Sequence, residues 1–201
     1  MAKKKVAKKK TTIKKTTTKK TTAKFSVKKA AIKKVTARKE TAAKNQYKFG
    51  PGDKVPSFKV PDSTGAMRSL TEFKGKYLVL YFYPKDNTPG CTQEGQDFKR
   101  LYSQFQKAGC EILGISKDSV RSHAGFRGKH GFPFELLSDS DEVLCRAFDV
   151  IQMKSLYGRK FEGVERSTFV VGRDGKVLKE WRKVKVNGHA EEVLEFVKSQ
   201  G

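Results

Sequence analysis

The chain has 201 residues, 36% of them hydrophobic and 10% aromatic, which is enough for one packed domain and an appendage. Its net charge is +23, but residues 1–46 hold 18 Lys or Arg and a single acid, Glu40, so +17 belongs to that segment and +6 to the other 155 residues. Three cysteines without a C-x-x-C pair, no secretory signal and no apolar run of membrane-spanning length argue against a disulfide scaffold and a membrane protein, and point to a reducing, intracellular compartment.

Residues 1–46 are Lys, Thr and Ala with Lys-Lys doublets at 14–15, 19–20, 28–29 and 33–34, a low-complexity pattern. Thr is a poor helix former and like charges repel, so this segment is expected to be a disordered basic tail. Dense lysine neutralises phosphates without reading bases, which makes nucleic acid the expected partner. Two other readings stay open, a solubilising tail and an organellar transit peptide, although transit peptides favour Arg and Ser over Lys and Thr. Phe25, Val27 and Ile32 form no sustained amphipathic face, so no membrane attachment is expected.

A domain spanning residues 47–201 is expected to follow. Gly50-Pro51-Gly52-Asp53 punctuates its entry, and Ser57–Val60 followed by Pro61-Asp62-Ser63-Thr64-Gly65 reads as a short strand and turn. Leu78 to Tyr83 is a continuous apolar run of the kind a strand buried on both faces requires, and Pro84 ends it by removing a donor. Beyond Cys91, Phe98, Leu101, Tyr102 and Phe105 fall at i, i+3, i+4 and i+7, one face of a helix that can lie on the sheet. Cys110–Ser116 reads as a second buried strand, Asp118–His130 as a helix, Phe132–Leu137 as a short extended run and Ser140–Phe148 as a helix. Ser167–Val171 and Lys176–Trp181 flank the turn Gly172-Arg173-Asp174-Gly175, and Ala190–Ser199 closes with a helix. Strands alternating with helices, plus one hairpin, describe an α/β fold with a mixed sheet flanked by helices.

The site is expected where the central strand runs through Pro84-Lys85-Asp86-Asn87-Thr88-Pro89-Gly90 into a helix whose first turn holds Cys91. A thiol there meets unsatisfied N–H groups and the positive end of the helix dipole, which favour its nucleophilic thiolate. Thr88 can offer a hydroxyl to the sulfur or to an oxygen bound beside it, and Pro84 and Pro89 stiffen the loop. Free cysteine is more often packed than reactive; this setting reverses that expectation for Cys91. Glu94 reads as an acid that complements the helix dipole rather than as a catalytic base. Cys110, at the start of a buried strand, and Cys145, among Val143, Leu144 and Phe148, read as packing residues, and Trp181 as a residue packed on a sheet. No ligand-type spacing links the cysteines and histidines, so no metal and no cofactor are expected.

Pro84-x-x-x-Thr88-x-x-Cys91 resembles the active-site motif of peroxiredoxins, and the wording Tyr-Pro-Lys-Asp-Asn-Thr-Pro-Gly-Cys-Thr is similar to the peroxiredoxin Q, or bacterioferritin comigratory protein, branch. The resemblance runs from about Tyr47 to the C-terminus, whereas the tail resembles the lysine-rich tails of linker-histone-like proteins. It implies a thioredoxin-like fold, a monomer, and a thiol peroxidase acting on hydrogen peroxide and organic hydroperoxides with thioredoxin or another thiol as reductant. Cys91 would be the peroxidatic cysteine. Arg166-Ser167-Thr168-Phe169 resembles the segment whose arginine contacts the thiolate and the peroxide, so Arg166 takes that role. The sequence departs from many relatives at the resolving cysteine: the position five after Cys91 is Gln96, and the other common position corresponds to Arg127. A one-cysteine cycle is therefore expected.

The resulting reading is a peroxidase held on nucleic acid by its tail, in the cytoplasm, nucleoid or nucleus. The alternative is a nucleic-acid-binding protein with a redox-inert thioredoxin-like domain, which has no need of Pro84, Thr88, Cys91 and Arg166 together. A disulfide oxidoreductase is disfavoured because Thr88 stands where a C-x-x-C pair needs its first cysteine.

Overall fold

A computed structural model describes residues 47–156 and 158–201; the tail expected over residues 1–46 lies outside the described residues. In chain order the elements are β1 (Lys59–Pro61), β2 (Met67–Ser69), a 3-10 turn (Leu70–Phe73), β3 (Tyr77–Phe82), α1 (Pro89–Lys107), β4 (Cys110–Ser116), α2 (Val120–His130), β5 (Glu135–Ser138), α3 (Val143–Ala147), β6 (Ile151–Leu156), β7 (Arg159–Val164), β8 (Ser167–Val171), β9 (Val177–Trp181) and α4 (His189–Lys198).

All six residues of β3 are buried, which fits its place at the centre of a five-stranded sheet of order β5-β4-β3-β8-β9. β4 runs parallel to β3 and β5 to β4, while β8 and β9 are antiparallel additions, so the sheet is mixed. Side chains along β3 alternate between two cores, as the two-residue period of a strand requires. Tyr77, Val79 and Tyr81 face a layer built from Phe98, Leu101 and Phe105 of α1, Phe126 of α2 and Val193 and Val197 of α4. Leu78, Leu80 and Phe82 face Phe58, Leu144, Phe148 and Val164 on the other side. Burying each such side chain contributes about 1.5–3 kcal/mol, and the thioredoxin-like layering follows from having apolar side chains on both faces of one sheet. The helix spacing read from Phe98, Leu101 and Phe105 is what seats α1 on the sheet.

Three expectations change in detail. The helix expected over Ser140–Phe148 shrinks to Val143–Ala147, because Glu142 adopts a left-handed backbone with φ 58° and breaks the run. In the extended run after α2 only Glu135–Ser138 pairs as a strand; Phe132 and Phe134 instead stack with centroids 5.4 Å apart. Phe132 lies under α1 at Gly95, where a Cβ would stand 2.5 Å from its ring. The hairpin of β6 and β7 has no counterpart in the sequence reading, since its mixed sequence lacks the alternation that marks a half-buried strand.

Candidate active site

β3 carries the chain to Tyr83, whose N–H still bonds the Ile115 carbonyl at 3.1 Å, and Pro84 then withdraws the next donor. Asn87 turns the loop through a left-handed backbone with φ 57°, Thr88 takes an extended conformation as the N-cap, and Pro89 opens α1. Cys91 is therefore in the first turn, where the N–H groups of Gly90 and Cys91 have no helical carbonyl behind them. It is 2% exposed and belongs to the core layer beneath α1.

Arg166 precedes β8, and because Phe82 pairs with Ser167 in the antiparallel register, it emerges beside the end of β3 and the start of α1. Its Nη2 donates to Cys91 Sγ at 3.1 Å, and its Nη1 pairs with Glu94 Oε2. Gly90 leaves room for this: a Cβ there would approach Arg166 Nη2 to 3.3 Å. Burial works against the charge on Arg166, and Glu94 and Cys91 hold it in place.

The structure brings Cys91 and Arg166 together and adds Glu94. Glu94, expected as an acid that complements the helix dipole, has a partner that reading did not include: three residues after Cys91, its carboxylate turns inward to Arg166 and is 1% exposed. Burial pushes it up to about 7, with Arg166 opposing the shift. Its other oxygen, Oε1, has no hydrogen-bond partner among the described residues, nor does the buried Tyr81 hydroxyl, and burial raises that phenol well above its ordinary range. Gly114 accommodates this hydroxyl; a Cβ there would be 2.6 Å from it. The only signal for Glu94 in the sequence was its three-residue spacing from Cys91, on the same side of the helix.

Thr88, expected to offer its hydroxyl to the sulfur or to an oxygen bound beside it, donates Oγ1 to the Lys85 carbonyl at 3.0 Å in this structure, bracing the loop from within. Pro84 is half-buried at the strand end.

The other two cysteines lie elsewhere. Cys110 pairs in register with Tyr77, at the opposite end of β3 from the loop that leads to Cys91. The two ends, Tyr77 and Phe82, are five residue steps of about 3.3 Å apart. Burial pushes the Cys110 thiol up to about 12. Cys145 belongs to the core on the other face of the sheet, where burial, with Asp139 adding to it, drives its thiol far upward. Gln96 meets His130 Nδ1 at 3.3 Å, and Arg127 pairs with Glu135 at 2.8 Å and donates to the Phe134 carbonyl, so both are engaged in holding α2 and β5. Among the described residues no group of three or more His, Cys, Asp and Glu could hold a metal ion, and no helix is long and apolar enough to cross a membrane.

A family model described as the AhpC/TSA family matches residues 51–180. Peroxiredoxin Bcp of Xanthomonas campestris pv. campestris is 56% identical over 137 residues, which cover 68% of this chain and 86% of the relative. Peroxiredoxin Bcp of Bacillus subtilis is 45% identical over 147 residues, 73% of this chain and 94% of the relative. Among solved structures, a Xanthomonas campestris peroxiredoxin Q superposes with a TM-score of 0.69 at 54% identity, covering 71% of this chain and 90% of that one.

Proposed function

The chain belongs to the AhpC/TSA family and within it to the Bcp/PrxQ peroxiredoxins, which makes it a thiol peroxidase, and from that premise we propose that Cys91 is its peroxidatic cysteine. The observation that carries this assignment is the 3.1 Å contact between Arg166 Nη2 and Cys91 Sγ, with Glu94 fixing the same guanidinium.

The Cys91 thiolate attacks the terminal oxygen of a hydroperoxide. A sulfur–oxygen bond forms, the O–O bond breaks, and the departing oxygen leaves as water or an alcohol after taking up a proton. Arg166 stabilises the thiolate and the negative charge that grows on the departing oxygen. Thr88 and Pro84 act on the loop, one by its bond to the Lys85 carbonyl and the other by ending β3. The product is a sulfenic acid at Cys91. An external thiol condenses with it to a mixed disulfide and water, and a second thiol releases Cys91.

The places of the other cysteines support an external thiol. Cys110 sits at the far end of the sheet and Cys145 behind it, both buried, so neither reaches Cys91 while the sheet stands. The domain is proposed to act as a monomer inside the cell. The assay that tests the proposal is peroxide consumption by the full chain, with thioredoxin and with low-molecular-weight thiols side by side. Turnover with at least one donor is expected; absence of peroxide-dependent oxidation of Cys91 would overturn the assignment.

The tail adds a second element to the reading. With 18 cations and one acid in 46 residues, it is proposed to hold the enzyme on nucleic acid, so that peroxide is removed near what it would damage. The alternative of a redox-inert domain is disfavoured by Arg166 being spent on Cys91.

A further inference from the structure

The loop that presents Cys91 is held from beneath by a buried charge. Lys85 and Asn87 are exposed, yet Asp86 between them is turned inward and only 5% exposed. Its carboxylate accepts from the Tyr83 hydroxyl at 2.8 Å and from Ser122 Oγ at 2.7 Å, and His123 Nδ1 lies 2.9 Å from Oδ2. The Asp86 N–H donates to Asp118 Oδ2 at 2.8 Å, so main chain and side chain are both tied to the segment that opens α2.

His123 is fully buried, and its two nitrogens face acceptors. Nε2 lies 3.1 Å from the Leu137 carbonyl, which can only accept, so Nε2 carries a hydrogen. The bond between Nδ1 and Asp86 then holds a second proton. Tyr83 and Ser122 already donate to the carboxylate, and these bonds together with that from His123 hold Asp86 below the usual carboxylate range against the effect of burial. Asp86 and His123 are thus joined in one buried hydrogen-bonded pair.

We propose that the Asp86–His123 pair positions the peroxidatic loop, keeping Cys91 Sγ against Arg166. The inference rests on the reading of Cys91 as the peroxidatic residue. Neither member touches the sulfur, so both are positioning residues. The elements on either side need no such help: β3 is buried along its length, and α1 is seated by Phe98, Leu101 and Phe105. Between them the side chains of Lys85 and Asn87 are exposed and give the core nothing to grip. A buried polar pair adds little net stability over an apolar pair of similar size, but its hydrogen-bond geometry is specific, and geometry is what this loop lacks.

The test compares two reactions of the same thiol in the full chain, at a pH high enough to ionise the thiol fully in every variant: with peroxide, which needs aligned Arg166, and with iodoacetamide, which then needs only a reachable thiolate. Asp86→Asn and His123→Gln are each expected to slow the peroxide step by about 10–100-fold while alkylation is little changed. The double variant should be no slower than either single one, because the pair acts as a unit. An unchanged peroxide rate in a folded Asp86→Asn chain, or an equal fall in both reactions, would overturn the proposal. If those variants do not fold, Tyr83→Phe and Ser122→Ala each remove one donor to Asp86; each should slow peroxide but not alkylation, and no effect of either would equally refute it. Peroxidase activity surviving Cys91→Ser is the separate result that would remove the premise.

Discussion

Arg166 Nη2 donates to Cys91 Sγ at 3.1 Å although 75 residues separate them in the chain. The same guanidinium also pairs with Glu94, so one half-buried cation serves a thiol and a carboxyl three residues apart on α1. How that charge is divided between the two acids sets the behaviour of the site.

Cys91→Ser is expected to abolish peroxide turnover, whereas Cys110→Ser and Cys145→Ser keep most of it, because those two thiols are buried and driven toward the neutral form. Steady-state peroxide consumption with the best donor measures this. A loss of turnover in Cys145→Ser with Cys91 oxidation intact would replace the one-cysteine cycle with a resolving role for Cys145.

Arg166→Met should slow oxidation of Cys91 by roughly 10²–10³, the usual cost of one charge-stabilising contact. Arg166→Lys should recover part of that, since a point charge cannot reach Cys91 and Glu94 at once as the planar fork does. Stopped-flow oxidation of the chain gives the rate, and an unchanged value in the Met variant would assign the cation elsewhere.

Glu94 links the site to pH. Burial pushes its carboxyl up to about 7, so below that value it is neutral and Arg166 faces Cys91 alone; above it an anion competes for the guanidinium. The peroxide rate of the parent chain relative to Glu94→Gln should therefore fall as pH rises from 6 to 8, an interval chosen to span the value of about 7. Stability moves in the same direction. The carboxyl is raised above its ordinary value of 4.5, so what it contributes below 4.5 is lost as pH rises toward about 7, on the order of 3 kcal/mol. Urea denaturation of both chains at pH 4.5 and 7.5, values bracketing that interval, should show this loss in the parent only.

Deleting residues 1–46 should remove retention on DNA and leave the peroxide kinetics of the remaining domain nearly unchanged. For the full chain, log affinity should fall with log salt at a slope of roughly −9 if about ten lysines engage phosphates together, with little sequence preference. A slope near zero would mean that the tail does not bind phosphates, and a mature chain beginning near Tyr47 would make it a cleaved targeting segment.

Much of the fold was legible because its signals are local. The apolar run into β3, the strand Cys110–Ser116 and the spacing of Phe98, Leu101 and Phe105 are short-range patterns, and each element forms where its pattern lies. Pro84, Thr88 and Cys91 stand together in one stretch, and Arg166 was reached through a family resemblance, not through any local property of a lone arginine. What no local pattern encodes is which polar groups the sheet brings face to face. β3 lies between β4 and β8, and that order aims Arg166 at Cys91 and makes Glu94, read as a helix-start acid, a buried partner of Arg166. Asp86 likewise carries no local sign of its partner, His123, which α2 places 2.9 Å from its carboxylate from 37 residues along the chain. Thr88 shows the same limit: its identity was plain, but its hydroxyl turns to the Lys85 carbonyl. Burial and long-range pairing depend on how strands are ordered across the sheet, and that order exists only once the chain has folded.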